Sequence, residues 1–165
     1  MSENVVVRGR GQAPRRAQRI RGGVTTRFAV ADQKGYLTTT VGADGVLDGV
    51  SLRIAKQGST LAGMMDALGQ AVTEGLRAGA PLDEYVAAFT NSRFVPAGRT
   101  DDDELPLASS VMDYVGRRLA IDHLPRQRRV ELGVLTAVER RAQLGTGDGE
   151  TDLVGLSMSA PAERA

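Results

Sequence analysis

The chain has no cysteine in 165 residues. Disulfides, thiolate metal sites and any redox or radical chemistry run through a sulfur of this sequence are thereby excluded. Tryptophan is also absent and aromatics make up only 4%, so a core has to be assembled from Leu, Val, Ala and Met. Histidine occurs once, as His123, with no second histidine, serine triad or cysteine beside it in a catalytic pattern. No apolar run reaches the length of a membrane span, and the N-terminal residues lack the apolar core of a signal peptide; a cytoplasmic protein is expected. Net charge is +1, so the charge of the whole molecule points to neither nucleic acid nor membrane.

What is present is a turn-rich mixture, with 20 glycines, 25% charged residues and 41% hydrophobic residues, enough for one domain with ragged ends. The charge is unevenly spread. Residues 1–27 carry seven arginines (Arg8, Arg10, Arg15, Arg16, Arg19, Arg21 and Arg27) against one acid, Glu3. Residues 1–22 show no period and are expected to form a disordered basic arm, either a handle for nucleic acid or an acidic partner, or a solvated leader. In the first case Arg15, Arg16, Arg19 and Arg21, with Arg126, Arg128 and Arg129 further on, are the candidate phosphate contacts.

Residues 24–30, 36–41 and 46–54 alternate as strands, joined by short turns at 32–35 and 43–45. Such links favour an antiparallel meander. The best-patterned stretch follows: Leu61, Met64, Met65, Leu68, Val72 and Leu76 recur at helical spacing, Ser59 or Thr60 caps the start, and Gly79 with Pro81 ends it. That stripe is expected to cover the apolar face of the meander. Pro81 opens a second helix with Leu82, Tyr85, Val86 and Phe89 inward, and residues 106–124 form a third, with Arg117 and Arg118 facing solvent. His123 closes it, where the helix dipole favours a cation. A short helix from Pro125 and a last one from the Thr136–Glu139 capping box to about residue 144 complete the pattern, and residues 145–165 read as a disordered tail. The expected fold is α+β, with a three-stranded antiparallel meander packed against a bundle of four to five helices.

Two clusters invite a chemical reading. Lys56, Gly58, Ser59 and Thr60 stand where a strand hands over to a helix N-terminus, a place suited to a phosphate or nucleotide. The alternative is that Gly58 solves a tight turn and Ser59 caps a helix, and the spacing lacks the full phosphate-loop motif. Residues 101–104 are four consecutive acids, but chelating loops stagger their ligands. They are expected to be solvated, or to be acids favoured at a helix start, and not to bind metal.

Several runs resemble the C-terminal, TSCPD-type domain of adenosylcobalamin-dependent (class II) ribonucleotide reductases. They are residues 25–28 (TTRF), 35–39 (GYLTT) and 56–67 (KQGSTLAGMMDA), then 89–94 (FTNSRF) with 96–98 (PAG) and 100–102 (TDD), and 110–114 (SVMDY) with 117–120 (RRLA). The similarity extends over residues 18–144, making residues 23–144 the matching domain. The resemblance implies that the catalytic barrel, its cysteines and its cobalamin site lie in a region that these residues do not match. No catalytic residue, metal ligand or cofactor can therefore be carried over. The chain is expected to be a free-standing copy of a non-catalytic accessory domain, and not an enzyme on its own. Its expected partners are a class II reductase, a second copy of itself, or a nucleotide. The alternatives are a nucleic-acid module using the basic arm and a structural homo-oligomer subunit.

Overall fold

The structure is a computed structural model and describes residues 22–147. Three strands come first: β1 (Gly22–Val30), β2 (Gln33–Val41) and β3 (Leu47–Ile54). They form one antiparallel sheet in the order β1-β2-β3, the expected meander. Alternation sorts its two faces. Phe28, Val30, Leu37, Val50, Leu52 and Ile54 are buried, while Thr25, Arg27, Tyr36, Ser51 and Arg53 point to solvent.

Helices α1 (Thr60–Arg77) and α2 (Leu82–Phe89) follow, then a two-stranded ribbon of β4 (Gly98–Arg99) with β5 (Leu107–Ala108). The chain ends in α3 (Val111–His123), α4 (Arg126–Glu131) and α5 (Ala137–Gly147). The third helix starts later than the pattern of residues 106–124 suggests. Residues 107–108 pair with β4, and the start belongs to Ser110, whose Oγ accepts from the Asp113 N–H at 3.0 Å.

The α1 stripe joins the sheet's core as expected, through Met65, Leu68, Val72 and Leu76, and the helix also makes an edge contact. α1 lies against β3 and closes its free edge. Thr73 Oγ1 accepts from the Val50 N–H at 2.9 Å and donates to the Val50 carbonyl at 3.0 Å, replacing a fourth strand at that residue. Gly69 permits the approach, since a Cβ there would lie 3.1 Å from the Val50 oxygen. α3 fills the centre. Its Tyr114 ring stacks on Phe28 of β1 with centroids 4.9 Å apart, and Val111, Val115 and Leu119 join the same core as Leu37 and Leu52.

Candidate functional site

The turn before α1 is the first place to look. Gly58 has φ +84°, a backbone state that favours glycine, and nothing lies within 4 Å of where its Cβ would be. Its glycine is required by the turn and not by a close neighbour. Ser59 Oγ accepts from the Ala62 N–H at 3.2 Å, so the hydroxyl is engaged as a helix cap. Lys56 and Thr60 are exposed, and a shallow cavity of about 110 Å³ beside them is lined by Arg53, Gln57, Ala62 and Asp66. The four candidate residues are thus adjacent. Two of them have full structural employment.

The second candidate set is divided. Arg15, Arg16, Arg19 and Arg21 lie outside the described residues. Arg126, Arg128 and Arg129 come together around α4, but each meets carboxylates. Arg126 and Arg129 hold Glu139 at 3.0 and 2.5 Å, and Arg128 pairs with Asp83 and with Glu131. The Arg129 hydrogen bond, helped by the Thr136 N–H, holds the Glu139 carboxyl down at about 2. These arginines tie α4 to α2 and α5, which leaves less cationic surface than the sequence suggests.

The acidic run at residues 101–104 is neither merely solvated nor at a helix start. Asp101 accepts from the Ala29 N–H at 2.6 Å and pairs with Arg27 at 3.0 Å, fastening the loop to β1. Asp102 accepts from the Tyr114 hydroxyl at 2.9 Å and from Arg118 at 3.2 Å, while Glu104 meets Arg118 at 2.8 Å. Among the described residues no group of three or more His, Asp or Glu side chains is placed to hold a metal ion.

Arg118 corrects a second expectation. It is buried, not solvent-facing, with its guanidinium shared by Asp102, Glu104 and Asp122. Burial works against its charge, but the Asp122 and Glu104 hydrogen bonds outweigh that and raise its pKa. Arg117 is also largely covered, donating to Asp113 at 2.8 Å and to Asn91 at 2.8 Å. Asp113 in turn accepts the N–H groups of Asn91 (2.7 Å) and Ser109 (2.9 Å). Burial opposes that carboxylate, yet the two N–H donors and Arg117 hold it below its usual range.

His123 lines a cavity of about 440 Å³ with Asp83, Asp122, Leu76 and Gly79. Its Nε2 is enclosed by protein and finds no hydrogen-bond partner among the described residues. Burial lowers its pKa despite the nearby Asp122 carboxylate, which works against the cation expected at this helix end.

Some exposed groups were missed by the sequence pattern. Leu61 and Met64, read as part of an inward stripe, are 44% and 62% exposed, whereas Met65 and Leu68 pack against the core and Val72 and Leu76 are buried in it. Phe94, Val95 and Leu107 form further apolar surface near the β4–β5 ribbon. Periodicity reports that a face exists, but not how far along the helix its partner extends.

The TSCPD domain family matches residues 8–123, and the chain belongs to that family. Its relatives are larger proteins. It is 49% identical over 152 residues to the vitamin B12-dependent ribonucleotide reductase of Streptomyces coelicolor, covering 89% of this chain and 16% of that one. The protein of that name from Streptantibioticus cattleyicolor is 48% identical, with 89% of this chain matched to 25% of its own length. A more distant relative of the same name, from Agrobacterium fabrum, is 33% identical over 90% of this chain and 12% of its own. The chain therefore spans at most a quarter of the length of these relatives. No solved structure matches it. Among the described residues no helix is long and apolar enough to cross a membrane.

Proposed function

We propose that the chain is a non-catalytic accessory or regulatory module of ribonucleotide reduction, acting by binding the polypeptide of a vitamin B12-dependent reductase. The observation that carries this reading is the exposed edge of α1 that bears Leu61 and Met64. Leu61 and Met64 leave an apolar strip in water within residues 56–67, the longest of the runs that resemble the reductases. A module that matches so small a share of its relatives has a larger body for that strip to meet. The absence of cysteine from the whole sequence supports a binding role over a radical one.

The test is retention of a purified B12-dependent ribonucleotide reductase on the immobilised full chain. The wild type is expected to retain it, and the double variant Leu61→Glu, Met64→Glu to weaken retention roughly tenfold or more, as loss of central apolar contacts does. Failure of the wild type to retain the enzyme overturns the reading. Light scattering decides whether a second copy uses the surface instead: a dimer dispersed by the same variant assigns the strip to self-association. Nucleotide binding at Lys56, Gly58, Ser59 and Thr60 is the finer possibility. Calorimetry with ribonucleoside and deoxyribonucleoside triphosphates, repeated on Lys56→Ala, tests it directly.

A further inference from the structure

The sheet has an outer face that neither α1 nor α3 covers. Register places Arg27 opposite Tyr36 and Tyr36 opposite Arg53, so one row across the three strands reads arginine, tyrosine, arginine. Neighbouring strands lie about 4.8 Å apart, so Tyr36 has an arginine at the paired position of the strand on either side. The next row is Thr25, Thr38 and Ser51, with the two threonine hydroxyls 2.9 Å apart. On the other side of the first row stands Lys34, which pairs with Ala29.

The charge of this face is one-sided. The three strands carry Arg27, Lys34 and Arg53, and their single acid, Asp48, is buried. Arg53 and Lys34 have no carboxylate partner among the described residues, and Arg27 meets Asp101 at the sheet edge with its side chain still 60% exposed. Such an exposed pair contributes little and yields readily to a competing anion. Tyr36 is 50% exposed at the centre of the row.

We propose that this face binds single-stranded nucleic acid. Tyr36 stacks on a base, Arg27 and Arg53 contact the flanking phosphates, and the hydroxyl row accepts or donates to sugar and base edges. A flat sheet suits a polymer with splayed bases better than a mononucleotide, which is usually held in a concave pocket. A duplex keeps its bases stacked within itself and leaves the ring unused. An acidic protein would satisfy the arginines but gives no role to a ring placed between them. The six arginines at positions 8–21 precede β1 in sequence and add long-range attraction without belonging to the site. This proposal is independent of the reductase reading, and the two name different residues.

The test is fluorescence anisotropy of the full chain with a short labelled oligodeoxythymidine strand, titrated at several salt concentrations. Tyr36→Ala is expected to weaken binding by about 5- to 100-fold with the salt slope unchanged. Arg53→Gln is expected to weaken it and to lower the slope by about one phosphate contact. Both side chains are exposed, so circular dichroism should show the fold intact in each. With no tryptophan in the chain, tyrosine emission reports stacking directly: quenching by the strand should be seen in the wild type and be reduced in Tyr36→Ala. A neutral Leu61→Gln, Met64→Gln variant should bind the strand as the wild type does. Equal affinity of Tyr36→Ala and wild type overturns the proposal, as does equal or tighter binding of a duplex of the same length or of polyglutamate.

Discussion

Helices α1 and α3 make opposite use of their residues. α1 has a stripe that helical spacing displays at once, yet its first half leaves Leu61 and Met64 in water. α3 carries Asp113, Arg117, Arg118 and Asp122, reads as half solvated, and buries nine of its residues. The difference is one of partners. Each charge near the centre of α3 meets a group from the loop of residues 91–110 or from its own next turn, so burial is tolerated. In the first two turns of α1, Met65 packs against the core while Leu61 and Met64 are left uncovered by the described residues. A clean apolar pattern therefore marks a surface seeking a partner as readily as it marks a core, and a charged pattern can mark the centre of a fold.

The largest effect belongs to α3. Arg118→Ala removes the donors to Asp102, Glu104 and Asp122 together and leaves Asp102 negative beside Tyr114. A stability loss of about 3 kcal/mol is expected in chemical denaturation, because the carboxylates lose their partner while staying partly buried. Arg118→Lys should recover less than half, since an ammonium lacks the planar fork that reaches several carboxylates at once. If Arg118→Ala costs no more than an exposed substitution, α3 is not the charged centre described here.

The same contrast explains what was legible in the sequence. The meander was, because each strand buries one face and alternation exposes it; so were the Ser59 cap and the Gly58 turn, which are local. The role of residues 101–104 was not. Their partners Arg27, Tyr114 and Arg118 lie up to 74 residues away in sequence, and no local pattern encodes such a contact (101 − 27 = 74). Ser110 was hidden for a related reason. Pro106 looks like a helix opening until β5 pairs with β4 and moves the start to the serine that can cap it. At the candidate sites, the residues of the Lys56–Thr60 turn were found from sequence, together with the turn and cap roles that Gly58 and Ser59 have. Arg27, Tyr36 and Arg53 could be placed in one row only after the register was known.

Acid should separate the regions next, with a smaller effect. His123 at the end of α3, Asp113 within it and Glu139 in α5 all have folded pKa values below their ordinary ones. Each binds its proton more readily when unfolded, so each contributes stability above the unfolded pKa and loses it as pH falls through the folded one. The loss begins below 6.5 as His123 resists protonation in its enclosure, where Asp122 favours the imidazolium and Arg118 opposes it. It resumes below 4.5 for Glu139 and continues to about 2, with Asp113 adding to it below 3.8. Urea midpoints should begin to fall below 6.5 and fall further through the carboxylate range, and His123→Gln should remove the part of the loss that begins below 6.5. A midpoint that is flat from neutrality down to the carboxylate range would remove the burial argument for His123.

The smallest effect on stability is expected where the sequence pattern is clearest. Leu61→Glu with Met64→Glu places two charges on the first turns of α1, where both side chains already meet water. Glutamate is a good helix former, and acids near a helix N-terminus are favoured by the dipole, so the unfolding free energy should shift by less than about 0.5 kcal/mol. Val72→Ala, two turns on in the same stripe but 3% exposed, should cost about 1 to 3 kcal/mol by opening a void beside β3. Denaturation of the two variants side by side measures how far along α1 the core extends. Equal losses would mean that Leu61 and Met64 are packed in the folded chain. The docking surface inferred from their exposure would then disappear.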